Sequence, residues 1–155
     1  MVRLPEILNE SSIRLDILET EKTAVIRSLI GPLSVSGVVV DPEQVQRDIL
    51  ARERVMSTGI GGGIAVPHAQ SAGVTRLAVA LGRVARPIEF EALDERPVSL
   101  LFLVVGPVDG EGFIRVLARI GRLLYSGDLT RKLLGARNPA EAMEFIRIEE
   151  ARITG

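Results

Sequence analysis

Leu100-Leu101-Phe102-Leu103-Val104-Val105 is the longest unbroken aliphatic and aromatic run in this 155-residue chain. It falls far short of the roughly 20 residues that a membrane helix needs. It fits a buried strand, here read as Val98 to Val105. A chain with such a strand must supply other elements to cover it. Leu77 to Leu81 is a second strand candidate, and Ile88 to Phe90 and Ile64-Ala65-Val66 are shorter ones. Ile13 and Leu15 alternate with polar neighbours, which is also a strand signal. Pro87, Pro97 and Pro107 punctuate these segments.

Helical signals fall between and after the strands. Thr20 can cap a helix whose apolar positions include Val25, Leu29, Ile30 and Leu33, with Pro32 disturbing its end. Asp41-Pro42-Glu43-Gln44 reads as an N-cap, a proline in the first helical position and a capping-box partner. Val45, Ile49 and Leu50 then share a face. Phe113, Val116, Leu117, Ile120 and Leu124 recur at helical spacing. Gly127 stops that helix, and Asp128 caps the next, with Leu133 and Leu134 facing inward. Asn138-Pro139-Ala140-Glu141 repeats the capping logic before Ala142, Phe145 and Ile146. This order predicts an α/β or α+β domain with helices covering a mixed sheet, and it leaves the strand order open. The length leaves room for one domain, residues 1–155, on the usual scale of roughly 100–200 residues per domain.

Composition narrows the chemistry. Lys plus Arg is 19 and Asp plus Glu is 20, a formal net charge of −1. That balance argues against a general nucleic-acid binder. Cysteine is absent, so disulfides, thiolate metal sites and thiol nucleophiles are excluded. There is one histidine, so any imidazole chemistry has to happen at His68. No metal site and no cofactor are expected. The N-terminus meets Pro5 and Glu6 too early for a signal peptide, so a cytoplasmic chain without membrane insertion is expected.

The informative segment runs from Arg52-Glu53 through Ser57-Thr58-Gly59-Ile60-Gly61-Gly62-Gly63 to Ile64-Ala65-Val66-Pro67-His68. Its glycines rule out a stable helix, since each costs about 1 kcal/mol relative to alanine. A phosphate loop of the Walker type needs Lys and Ser/Thr after the glycines, and Ile64-Ala65 stands there instead. A dinucleotide fingerprint would open a helix, which Pro67 and the apolar triplet oppose. A serine hydrolase would show a Gly-x-Ser-x-Gly elbow, and none occurs. Phosphoryl transfer through histidine fits better. A neutral imidazole nitrogen can attack phosphorus, glycines let backbone approach the oxygens, and an arginine fork can bind them.

The same residues resemble the signature of the fructose/mannitol-type enzyme IIA family of the bacterial phosphotransferase system, in the style of its stand-alone nitrogen-related branch. Arg52-Glu53, Ser57-Thr58-Gly59-Ile60-Gly61 and Gly63-Ile64-Ala65-Val66-Pro67-His68 follow the family pattern. The likeness extends through Pro87-Ile88-Glu89-Phe90, Asp94 and Pro97-Val98 to the Leu117-Ala118-Arg119-Ile120 and Leu133-Leu134-Gly135-Ala136 segments. It implies an α/β fold with a mixed central sheet flanked by helices, in which His68 accepts a phosphoryl group from an HPr-like phosphocarrier and Arg52 neutralises its charge. Ser57, Thr58, Gly61 and Gly63 are the implied phosphate-binding positions. The downstream partner would be an enzyme IIB in a sugar-transport member or a regulatory target protein in a nitrogen-branch member.

One departure stands out. Most members of that family have a second histidine before the Leu-Ala helix, and Phe113 corresponds to it here. Phenylalanine packs but donates no hydrogen bond. Arg115 is a candidate substitute, against its plainer reading as an exposed helix residue. The departure keeps a second function open, a regulatory binding module of the same fold with weak or lost phosphotransfer.

Overall fold

The computed structural model describes residues 2–154. The apolar run lies in β6 (Val98–Gly106), which pairs with three other strands. The sheet order is β1 (Ile13–Ile17), β5 (Ala78–Ile88), β6, β3 (Ile64–Ala65) and β2 (Gly59–Gly61), with β4 (His68–Gln70) also paired to β6. β5 runs antiparallel to β6, whereas β3 and β4 run parallel to it and β1 runs parallel to β5. The sheet is therefore mixed, as expected.

Successive side chains of a strand point to opposite faces, and both faces of β6 are covered. Leu101, Leu103 and Val105 enter a core shared with α2 (Lys22–Val35) and α3 (Pro42–Val55). Leu100, Phe102 and Val104 enter a second core. Its other walls are α1 (Leu4–Ile7), α4 (Phe113–Leu124), α5 (Asp128–Leu134) and α6 (Pro139–Thr154). Two-sided burial explains why the segment lacks polar alternation.

Local details depart from the sequence expectations for identifiable reasons. The first long helix starts at Lys22 with Glu21, not Thr20, at its N-cap, and no side chain closes that cap. Pro32 lies inside this helix. The carbonyl of Ser28, four residues earlier, accepts Arg14 Nη1 at 3.1 Å in place of the missing amide. Asp41 does cap α3, accepting the Gln44 amide at 3.1 Å, but the Gln44 side chain turns to Asp48 and forms no capping box. The segments near Leu77–Leu81 and Ile88 belong to one strand, β5, whose pairing with β6 shifts register between Arg83 and Ile88. Pro87 sits in that irregular stretch, where a missing donor costs least.

Gly127, with φ of +81°, takes the N-cap of α5 and Asp128 becomes its first residue. Leu133 is buried, whereas Leu134 is 46% exposed. Asn138 accepts the Glu141 amide at 2.8 Å, as its capping pattern predicts. Arg83 ties β5 to the end of α5 by donating to the carbonyls of Leu133, Leu134 and Ala136, and it also pairs with Asp16. No described helix is long and apolar enough to cross a membrane.

Candidate functional site

The glycine-rich segment forms a small hairpin in which β2 and β3 run antiparallel. Gly61, Gly62 and Gly63 all have positive φ, at 95°, 66° and 81°. Three consecutive left-handed residues are strained for any side chain with a Cβ, so this turn requires its glycine run. The chain then passes through Val66 and Pro67 into β4, where His68 pairs with Val104 of β6. The histidine thus stands on the central strand ladder, with the Pro67 carbonyl accepting the Val104 amide at 2.9 Å.

His68 is half-buried, and its Nδ1 lies 2.7 Å from the Val66 carbonyl oxygen. A carbonyl only accepts, so in this contact Nδ1 carries the proton and the Nε2 lone pair of the neutral ring is free. The imidazole lines a cavity of about 330 Å³ together with Arg52, Met56, Gly59, Leu93 and Leu117. Ser57, Thr58, Ile60, Val66 and Gly121 complete the lining. Most of this wall is apolar, so the imidazole and the Arg52 guanidinium are its chemically distinctive groups. Arg52 Nη1 donates to the Met56 carbonyl at 2.8 Å. That contact uses one of five guanidinium hydrogens.

The implied phosphate-binding positions separate into two groups. Ser57 and Thr58 line the cavity, but their hydroxyls are engaged in holding the loop. Ser57 Oγ donates to the Phe90 carbonyl at 2.8 Å and accepts the Gly59 amide at 3.0 Å. Thr58 gives both its amide and its hydroxyl to the Glu53 carboxylate. Gly61 and Gly63 are not brought into the His68 cavity. Gly61 lines a neighbouring groove with Ile60 and Tyr125, and the Gly63 carbonyl accepts the Ser99 and Leu100 amides of the β6 segment.

Phe113, at the start of α4, is buried against His68, with ring centroids 5.9 Å apart. Arg115, the candidate substitute for a second histidine, does not line the His68 cavity. It is exposed and lines a different concavity with Val2, Ala118, Arg119 and Arg122. Asp94 caps the hairpin, accepting the Gly62 amide at 3.0 Å and the Arg96 amide at 3.1 Å. These backbone donors, Arg96 first and Gly62 second, hold its carboxyl below the ordinary aspartate value. Among the described residues, no cluster of three or more His, Cys, Asp or Glu side chains is arranged to hold a metal.

Several contributors were not readable from the motif. Leu93 comes from the loop between β5 and β6, and Leu117 and Gly121 come from α4. Lys22 reaches Glu53 from the first residue of α2. Leu117 has helical periodicity as a signal, but nothing local in the sequence links Leu93 or Lys22 to His68.

The family model for the phosphoenolpyruvate-dependent sugar phosphotransferase system, EIIA 2, matches residues 6–148. A fructose-specific EIIABC component of Bacillus subtilis is 32% identical over 146 residues, which is 94% of this chain but 23% of that protein. The chain thus spans about a quarter of that relative. A nitrogen regulatory protein of Shigella flexneri is 31% identical over 148 residues, covering 94% of this chain and 90% of that one. The crystal structure of nitrogen regulatory protein IIA-Ntr from Neisseria meningitidis superposes with a TM-score of 0.84 at 29% identity, covering 92% of this chain and 97% of that one.

Proposed function

The chain belongs to the EIIA type 2 family of the phosphoenolpyruvate-dependent sugar phosphotransferase system, and on that premise we propose that it is a phosphohistidine carrier with His68 as acceptor. The observation that carries this reading is one imidazole, with Nδ1 hydrogen-bonded to Val66, sharing a concave site with Arg52. The phosphoryl donor is a phosphorylated HPr-like carrier. Nε2 of His68 attacks phosphorus, a new N–P bond forms, and the donor's own N–P bond breaks. Its electron pair returns to the donor ring. Nδ1 keeps its proton throughout, and the Val66 carbonyl holds the ring in that tautomer as positive charge develops. Free hydrogens of the Arg52 guanidinium stabilise the transferring oxygens, in a reaction governed by positioning and charge.

Met56, Ile60 and Leu93 are each more than half exposed, and all three line the cavity. An apolar rim around a reactive group suits a protein surface as donor and acceptor. The onward partner is an enzyme IIB or a regulatory target protein. Incubation with phosphoenolpyruvate, enzyme I and the cognate HPr-like carrier tests the proposal. An acid-labile label at His68, absent from His68→Ala, is expected. No labelling by any cognate carrier would sink it.

Phe113 favours a second reading, a regulatory binding module with weak or lost transfer. Partner binding unchanged in His68→Ala and His68→Asp would support that module. Binding that follows His68 phosphorylation would support a phosphate-controlled switch instead.

A further inference from the structure

Glu53 sits in the last turn of α3, next to Arg52, with its side chain 3% exposed. Its carboxylate accepts the Thr58 amide at 3.1 Å and also the Thr58 hydroxyl. Lys22 Nζ lies 2.7 Å from the same carboxylate. The ammonium also sits 4.3 Å from the centroid of the Phe90 ring and 3.4 Å from the Phe90 carbonyl oxygen. That carbonyl is the one that accepts Ser57 Oγ. Within residues 56–59, Thr58 is therefore held by the ion-paired Glu53 and Ser57 by the Phe90 carbonyl. All four line the His68 cavity, and Arg52 reaches Met56 within it.

A buried carboxylate without a countercharge is expensive and tends to take up a proton or seek water. Lys22 supplies the countercharge to the carboxylate that accepts both Thr58 donors. We infer that Lys22 and Glu53 are positioning residues for His68. The pair fixes the 56–59 loop so that Arg52 and His68 face the same small volume. This rests on the carrier reading above, and it places a residue outside the glycine-rich motif in control of the transfer rate. Lys22 touches neither His68 nor Arg52 in any contact described above, so it acts through Glu53 and Thr58.

The test compares Lys22→Met, Lys22→Arg and Glu53→Gln with the parent protein. One readout is the rate of His68 labelling by the phosphorylated HPr-like carrier, and the other is amide exchange at Thr58. Lys22→Met is expected to retain the fold by circular dichroism and to exchange faster at Thr58. Its labelling should be slower by about a hundredfold, the scale of a small misplacement of reacting groups. Lys22→Arg should recover both properties, and Glu53→Gln should change both in the direction of Lys22→Met. A folded Lys22→Met protein that labels at the parental rate overturns the inference, whatever its melting temperature. Equal losses in Lys22→Met and Lys22→Arg overturn it as well. If Lys22→Met does not fold, Glu53→Gln decides by the same two measurements. A parent protein that accepts no phosphoryl group counts against the carrier reading instead. Thr58 exchange then decides by itself whether the ion pair fixes the loop.

Discussion

The Phe113 ring stands 5.9 Å from the His68 ring, centroid to centroid, and tilts 55° from it. An aromatic hydrocarbon thus packs beside the imidazole proposed as the phosphoryl acceptor, at the position where the family resemblance implies a second histidine. Phe113→His places a hydrogen-bonding ring there. We expect faster labelling of His68, a longer-lived phosphohistidine, or both. One well-placed oxyanion donor is worth about 10²–10³ in rate, so even an imperfect placement is measurable. Unchanged rate and lifetime would show that the missing function does not reside at Phe113.

The second core contains a charge pair whose removal has a predictable asymmetry. Glu150 is buried and accepts the Leu4 amide at 3.1 Å as well as the Arg119 guanidinium. Arg119→Met leaves that carboxylate without its guanidinium, which should cost about 3–5 kcal/mol in urea unfolding. Adding Glu150→Leu should recover part of the loss, because the stranded charge is gone. A double variant less stable than Arg119→Met would contradict this account.

Acid should weaken two ion pairs of the C-terminal helix. Arg152 donates to Glu149, and Arg137 donates to Glu141, and in each case this hydrogen bond is the main reason the carboxyl lies below the ordinary value of 4.5. A carboxyl that is more acidic in the folded state binds fewer protons there than in the unfolded chain. Its contribution is complete above the unfolded value and is lost as pH falls through the lower folded one. Melting temperature should therefore be steady near neutrality and decline below about pH 4.5. Glu149→Gln should flatten part of that decline, and a slope identical to the parent's would exclude Glu149 as a contributor.

The parts legible in the sequence are those whose cause is local or periodic. β6 was readable because two-sided burial leaves an unbroken apolar run, and the caps at Asp41 and Asn138 because a short side chain meets an amide three residues on. Thr20 misled because many polar residues can precede a helix, and this one begins at Lys22 behind an uncapping Glu21. Leu133 and Leu134 looked equivalent, but α5 is short and turns only one of them into the core. The motif located His68 and Arg52 together because neighbouring elements carry them. It was silent on Leu93 and Lys22, whose approach depends on how a distant loop and helix pack. It also read Ser57 and Thr58 by residue type, whereas their hydroxyls are committed to Phe90 and Glu53.

Gly59 offers the sharpest test of how the hairpin and the 91–97 loop share the cavity. It lines the His68 site, and a Cβ built on it would lie 2.6 Å from Ala92 Cβ and 3.0 Å from Ala92 Cα. Ser57 Oγ would also lie 3.3 Å away. Ala92 is buried and cannot retreat freely, and Leu93 beside it forms part of the cavity wall. Gly59→Ala should therefore push this loop outward, costing about 1–3 kcal/mol in unfolding free energy through overpacking. Labelling of His68 should slow as well, because the same displacement moves the wall. Gly59→Ala combined with Ala92→Gly removes the closest clash while leaving the Cα and Ser57 contacts. It should recover part of both losses, and a double variant no better than Gly59→Ala in either measurement would show that Ala92 is not the obstacle.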